Sequence, residues 1–199
     1  YQTESEQRIG STVGKPLPGV DVRVVDDNQN TCIADQVGHI QVKGPNVFVG
    51  YWEMPEKTRE EFTADGWFKT GDLGRWGGKT AQGQAIPANY LSIVGRSKDL
   101  IISGGFNVYP KEIETIIDDM TGVLESAVIG LPHADFGEAV VAVVVAQPDV
   151  AIDTEQLQQQ LKRTLANYKV PKEIHLVQAL PRNAMGKVQK NLLREQFSR

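Results

Sequence analysis

Two nearly unbroken apolar stretches, VLESAVIGL from Val123 to Leu131 and AVVAVVVA from Ala139 to Ala146, restrict the fold of this chain more than any other feature. A strand with one wet face alternates apolar and polar residues. These runs are apolar or β-branched at almost every position, so they predict central strands covered on both faces. Amphipathic helices are at hand to cover them. PKEIETIIDDM, opened by Pro110, sets Ile113, Ile116 and Ile117 three and four residues apart on one helical face. Beyond Asp153 and Thr154, either of which can cap a helix, Leu157, Leu161 and Leu165 recur at every fourth position along a second stripe. EIHLV supplies a last strand, and VQKNLLREQF a short basic and apolar terminal helix. The second half is therefore expected to be an α+β unit of about 100 residues.

The first half has a different pattern. VDVRVVD from Val20 to Asp26 and GHIQVKG from Gly38 to Gly44 alternate and are bounded by turn formers, which predicts half-buried strands. PEKTREEF begins with Pro55 at the first helical position and continues in charged helix formers, as a short exposed helix would. GWFKTGDLG, Gly66 to Gly74, reads as an extended segment ending in a tight turn that holds Asp72 at a strand end. GGKTAQGQAIPAN, Gly77 to Asn89, has no period and reads as a solvent-exposed loop. The polar break GRSKD, followed by the strand LIIS and the turn signal GGFN, marks a domain boundary at Lys98. Residues 1–97 are expected to form a β-rich domain and 98–199 the α+β one.

Composition narrows the class. With 40% hydrophobic and 23% charged residues the chain can bury real cores. A net charge of -4 argues against nucleic acid and anionic membranes as partners, since both select clustered Lys and Arg. The single cysteine, Cys32, excludes an internal disulfide framework and suits a reducing compartment, with the cytoplasm as the expected location. No apolar run reaches the roughly 18 residues of a membrane span.

Several residues could carry chemistry, each beside a plainer alternative. Lys187 follows Gly186 in LPRNAMGK, where a turn can present its ammonium to a ligand; it can equally be a solvated surface lysine. This is not a Walker A loop, because Pro181 stands where the first glycine is required and Val188 where Ser or Thr is required. Asp72 in KTGD could accept two hydrogen bonds from a vicinal diol, or simply cap a turn. Arg96 could meet ribose or phosphate oxygens with its donor fork, or form a salt bridge near a domain joint. Lys98 and Asp99 could absorb a backbone rotation, although linkers are polar in any case. Ser103, Gly104, Gly105 and Phe106 could admit an extended ligand close to the backbone, or be an ordinary hairpin turn. His39, His133 and His175 are far apart without companions at metal-ligand spacing, so no metal site is indicated. Neither G-x-G-x-x-G after a strand nor G-x-S-x-G occurs.

Taken in order, KGPNVFVGYWEMPEKTREEF, GWFKTGDLG, GRSKDLIISGGFNVYPKEIE, YKVPKEI and LPRNAMGKVQKNLLR resemble the carboxy-terminal portion of adenylate-forming acyl-CoA synthetases, over nearly the whole chain. Within that superfamily the wording around GPNVFVGYW, GLPHADFGE and PRNAMGKVQKNLLR is most similar to malonyl-CoA synthetases. The resemblance implies a β-rich remnant of an amino-terminal adenylation domain followed by a mobile α+β lid. It also implies two half-reactions: a small carboxylic acid attacks the α-phosphate of ATP, with Mg2+ held mainly by residues outside this chain, and coenzyme A then displaces AMP.

By position, Asp72 would bind the ribose hydroxyls of ATP or AMP, and Arg96 the same nucleotide near ribose and phosphate. Lys187 would bridge the acid and the α-phosphate as the catalytic residue. Lys98 matches the hinge, and Ser103 to Phe106 would line the coenzyme A path. The equivalent lysine is a reversible acetylation target in related bacterial enzymes, which makes a protein acetyltransferase acting on Lys187 an expected partner. The superfamily's Ser-, Thr- and Gly-rich phosphate segment is absent, so the chain alone is expected to be inactive. YQTES resembles a family segment without its glycine, and Thr3 and Glu4 receive no role. Ligases for longer or aromatic acids share these segments, and a non-catalytic binding or regulatory lid is the alternative outside the enzyme class.

Overall fold

Alternation in the first half produces an antiparallel sheet in the computed structural model, which describes residues 12–80 and 83–198. Four strands lie in the order β1 (Asp21–Val25), β2 (Gly38–Lys43), β3 (Phe68–Lys79) and β4 (Ala85–Arg96). Their inward residues Val24, Ile40 and Leu91 pack with Cys32 into one apolar cluster, against which Val22, Val42 and Trp76 lean. Helix α1 (Pro55–Glu61) has Pro55 in its first turn, where no backbone N–H is needed, and buries none of its residues.

Two expectations for this half are corrected. GWFKTGDLG does not end in a turn: β3 runs through Gly71 and Asp72 to Lys79, because β4 supplies a long antiparallel partner. The stretch read as a solvent loop is largely the end of that hairpin, with Gly78 opposite Ile86 and Lys79 opposite Ala85. Its apolar pattern is thin because only Ile86 among its β4 positions is buried. Pro87 is tolerated because β4 is the last strand of the sheet.

The second half folds as its apolar runs require. β7 (Val123–His133) and β8 (Gly137–Ala146) pair antiparallel along their length, while β5 (Ile101–Ser103), β6 (Phe106–Val108) and β9 (Glu173–Val177) complete a five-stranded sheet. One side of β8 thus carries β7. The other is shared: β5 meets it at Gly137 alone, and β9 lies parallel to Val141–Val145.

Successive residues of the central strands enter different cores. Val128, Val140, Ala142 and Val144 face helices α2 (Pro110–Asp118) and α3 (Thr154–Thr164), represented by Ile113, Ile117, Leu157 and Leu161. Ala127, Ile129, Val141, Val143 and Val145 face Leu180 and Leu193, the latter from α4 (Lys190–Phe197). Each fully buried side chain of this size contributes about 1.5–3 kcal/mol, so the two-faced burial that produces the unbroken runs is also what stabilises the unit. Asp153 caps α3 by accepting hydrogen bonds from the N–H groups of Glu155 and Gln156 at 2.9 and 3.1 Å. Contacts divide the chain into two compact units, one ending at Lys98 and the next beginning at Asp99.

Candidate functional site

The β3–β4 register sets Asp72 directly opposite Arg96, and Arg96 Nε lies 3.2 Å from Asp72 Oδ1. Neighbouring hydroxyls fix the backbone around the carboxylate. Thr70 Oγ1 donates to the Ile40 carbonyl at 2.9 Å and accepts the Asp72 N–H at 3.1 Å. Ser97 Oγ donates to the Gly71 carbonyl at 3.1 Å. With side chains 25% and 52% exposed, the Asp72–Arg96 pair contributes only about 0–1 kcal/mol to stability. Asp72 Oδ2 and the terminal guanidinium nitrogens have no hydrogen bond among the described residues. An acceptor and a fork of donors therefore stand side by side, a combination that can take a vicinal diol and an adjacent anionic oxygen together.

Lys187 belongs to the second unit and sits in a tightly cross-braced loop. Arg182 and Val188 form a short antiparallel bridge that closes it. Inside, the Asn183 N–H donates to the Lys187 carbonyl and the Gly186 N–H to the Asn183 carbonyl, both at 2.9 Å. The Asn183 side-chain oxygen accepts from the N–H groups of Met185 and Lys187 at 3.0 Å each. Arg182 donates to the Gly186 carbonyl at 2.6 Å and pairs with Glu125 of β7. Gly186 takes a φ of +77°, a backbone conformation that a side chain would strain. The ammonium of Lys187 is exposed and makes no hydrogen bond or ion pair among the described residues. The loop is thus ordered by its backbone and by Asn183 and Arg182, and the Lys187 ammonium takes no part in that bracing.

Gly104 and Gly105 form a two-residue hairpin turn between β5 and β6, with φ values of +59° and +81° that favour glycine at both positions. Ser103, just before it, is only 3% exposed, whereas Phe106 is 55% exposed and stacks on Tyr168 at 4.5 Å. The turn, not the serine side chain, is what this segment offers to solvent. Lys98 is exposed within the 3-10 turn Ser97–Asp99. Next to it Asp99 pairs with Arg194 of α4 at 3.0 Å.

Sequence reasoning did not single out Asn183, Arg182 or Glu138. An asparagine two residues before the next turn position is a local signal that could have identified Asn183. The reach of Arg182 to Glu125 and of Glu138 to Ile102 depends on non-local register, which carries no local signal. Among the described residues no group of three or more His, Cys, Asp or Glu could hold a metal ion. His39 and His175 instead meet Asp27 and Glu173, and His133 lies against Phe136. Thr3 and Glu4 lie outside the described residues. No helix is long and apolar enough to cross a membrane.

Two family profiles match the chain. One, described as AMP-binding enzyme, covers residues 1–52, and the other, AMP-binding enzyme C-terminal domain, covers residues 112–187 and so includes Lys187. A 2-succinylbenzoate--CoA ligase of Enterococcus faecalis is 40% identical over 184 residues, 92% of this chain and 35% of that enzyme. The structure of ATP-bound MatB from Rhodopseudomonas palustris matches with a TM-score of 0.86 at 53% identity, over 94% of this chain and 36% of that one. The o-succinylbenzoate CoA synthetase of Bacillus subtilis, solved with its acyl-adenylate, matches with a TM-score of 0.85 at 31% identity, over 98% of this chain and 37% of that one. The chain spans about a third of the length of the curated relatives it matches.

Proposed function

Because the chain belongs to the family of AMP-binding, adenylate-forming enzymes, we propose that it supplies the lysine loop and nucleotide-ribose contacts of an ATP-dependent acid:CoA ligase, and that the ligase is a malonyl-CoA synthetase. The observation that carries this reading is the braced loop that leaves the Lys187 ammonium without a hydrogen bond or ion pair among the described residues, inside the region matched by the family's carboxy-terminal profile.

In the first half-reaction a carboxylate oxygen forms a bond to the α-phosphorus of ATP and pyrophosphate leaves. Two anions must meet, and negative charge grows on the phosphoryl oxygens as they do. A positive charge held at that point favours both the encounter and the transition state. Lys187 provides it. Asp72 accepts from the ribose hydroxyls while Arg96, already paired with it, donates to the same nucleotide. In the second half-reaction the sulfur of coenzyme A attacks the acyl carbon, AMP departs and the thiol proton is released. The Gly104–Gly105 turn lies along the pantetheine path, and Lys98 serves as the hinge about which the lid moves between steps. Catalysis also needs the two thirds of the relatives' length that this chain does not span, including the ligands of Mg2+, so the chain by itself is inactive.

Malonate is favoured as the acid by the identity with MatB, a malonyl-CoA synthetase, 53% against 40% and 31% for the two succinylbenzoate enzymes. Ligases for longer or aromatic acids are the second reading, supported by relatives named for such acids. The test is thioester formation by the full-length protein with malonate, methylmalonate, acetate, a long-chain acid and benzoate. Malonyl-CoA as the fastest product supports the proposal, preference for benzoate or the long-chain acid transfers the assignment to the second reading, and no thioester from any acid refutes the ligase function. Acetylation of Lys187 by a protein acetyltransferase would remove the charge on which the first half-reaction depends. Mass spectrometry after incubation with an acetyltransferase and acetyl-CoA tests it, and an unmodified Lys187 counts against it.

A further inference from the structure

The N–H of Ile102 has an unusual acceptor. A two-residue turn makes Ser103 and Phe106 the hydrogen-bonded pair that flanks it, so the next pair, Ile102 and Asn107, is one whose backbone groups point out of the hairpin. On that side lies β8. Its backbone pairs with β5 only through Gly137 and Ser103, and the ladder goes no further. The Glu138 carboxylate fills the gap, accepting the Ile102 N–H at 2.7 Å. One residue earlier, the Phe136 carbonyl accepts the N–H of Gly104, within the turn itself, at 2.9 Å.

Space for the carboxylate is made across the sheet. Gly130 of β7 is a diagonal neighbour of Glu138, and a Cβ there would come within 2.6 Å of Glu138 Oε1. The missing side chain at Gly130, the Glu138 carboxylate and the Ile102 N–H thus form a continuous line that ends two residues from Gly104. Ile101 and Val108 bury the base of the three-residue arms of β5–β6 and Phe106 stacks on Tyr168, while on the β8 edge beside the turn the acceptors are the Glu138 carboxylate and the Phe136 carbonyl.

We propose that Glu138 is a positioning residue that holds the Gly104–Gly105 turn in place for the thioester-forming step. It touches neither substrate, and it acts through the backbone of β5. This rests on the reading of the turn as part of the coenzyme A path. The Lys187 loop is packed on the opposite face of the sheet through Leu180 and Leu193, so it does not depend on Glu138. Loss of the carboxylate therefore separates the two half-reactions, which a general loss of stability would not do.

The experiment compares Glu138→Ala and Glu138→Gln with the parent in full-length protein. Glu138→Ala is expected to raise the KM for coenzyme A and slow thioester formation from supplied acyl-adenylate by about tenfold, with pyrophosphate exchange within about twofold of the parent. Glu138→Gln keeps an acceptor oxygen and is expected to restore most of the loss. Equal loss in both half-reactions, no loss in either, or a Gln variant as impaired as Ala would overturn the proposal. A readout independent of activity is amide exchange at Ile102, which should accelerate about tenfold in the Ala variant. If the parent forms no thioester, the ligase reading falls, and the exchange rate alone decides the role of Glu138: acceleration upholds the bond to the turn, and an unchanged rate refutes it.

Discussion

Replacing Asn183 by Ala would remove the two hydrogen bonds that its side-chain oxygen accepts from the Met185 and Lys187 N–H groups at 3.0 Å. Neutral hydrogen bonds contribute about 0.5–1.5 kcal/mol each, with exposed ones toward the lower end, so the ordered loop loses about 1–2 kcal/mol relative to disordered alternatives. At about 1.4 kcal/mol per factor of ten, that is roughly a 5- to 30-fold drop in the ratio of ordered to disordered loop. The bridge between Arg182 and Val188 and the Arg182 bond to the Gly186 carbonyl remain, so the loop is weakened without being abolished. In full-length protein, pyrophosphate exchange should fall, by at most that factor, while thioester formation from supplied acyl-adenylate stays near the parent rate. Asn183→Ser, whose shorter hydroxyl makes the same turn more weakly, should fall between the two. Pyrophosphate exchange by Asn183→Ala at the parent rate would refute the idea that loop order governs delivery of the lysine.

Other consequences follow from individual residues. Asp72→Ala removes an exposed pair and should change stability by less than about 1 kcal/mol in urea titration, yet weaken ATP binding at least tenfold in calorimetry; equal binding would remove Asp72 from the nucleotide site. Glu114, 8% exposed, accepts from the buried Val128 N–H at 2.9 Å and from Lys190 Nζ at 2.5 Å. Glu114→Ala should therefore cost about 3 kcal/mol in denaturant unfolding of the chain, and a cost under about 1 kcal/mol would contradict its burial. Burial raises the thiol of Cys32 above its ordinary value of 9.0, with the nearby Asp26 charge adding to the effect. The folded state then holds its proton where the unfolded state releases it, so this contribution is complete below pH 9.0 and is lost as pH rises through the folded-state value. Alkaline unfolding of Cys32→Ala should lack that decline, and an identical pH profile would argue that the thiol is not the group involved.

The fold was most legible where burial is two-sided. Along Ala127–Ile129 of β7 and Val140–Val145 of β8 successive residues face one or the other of two cores, so composition alone marks the strands, and Leu157, Leu161 and Leu165 mark α3 as plainly. It was least legible in β4, where Ile86 and Leu91 are the apolar residues that reach the core and Pro87 breaks the pattern. Missing β4 also misplaced Asp72 at a turn, because β3 continues only where β4 is there to pair with it. The Asp72–Arg96 contact follows from the same register: they lie 24 positions apart, and nothing local announces that they are neighbours. Lys187 was singled out by its surrounding wording. What holds its loop, Asn183 from within and Glu125 from β7, emerged only from the geometry.

The role of Lys187 is tested most directly by Lys187→Ala in the full-length protein, with the two half-reactions measured separately. Acyl-adenylate formation should be nearly abolished, while thioester formation from supplied acyl-adenylate and coenzyme A continues close to the parent rate. Equal loss of both steps, or pyrophosphate exchange that survives the substitution, would contradict the account.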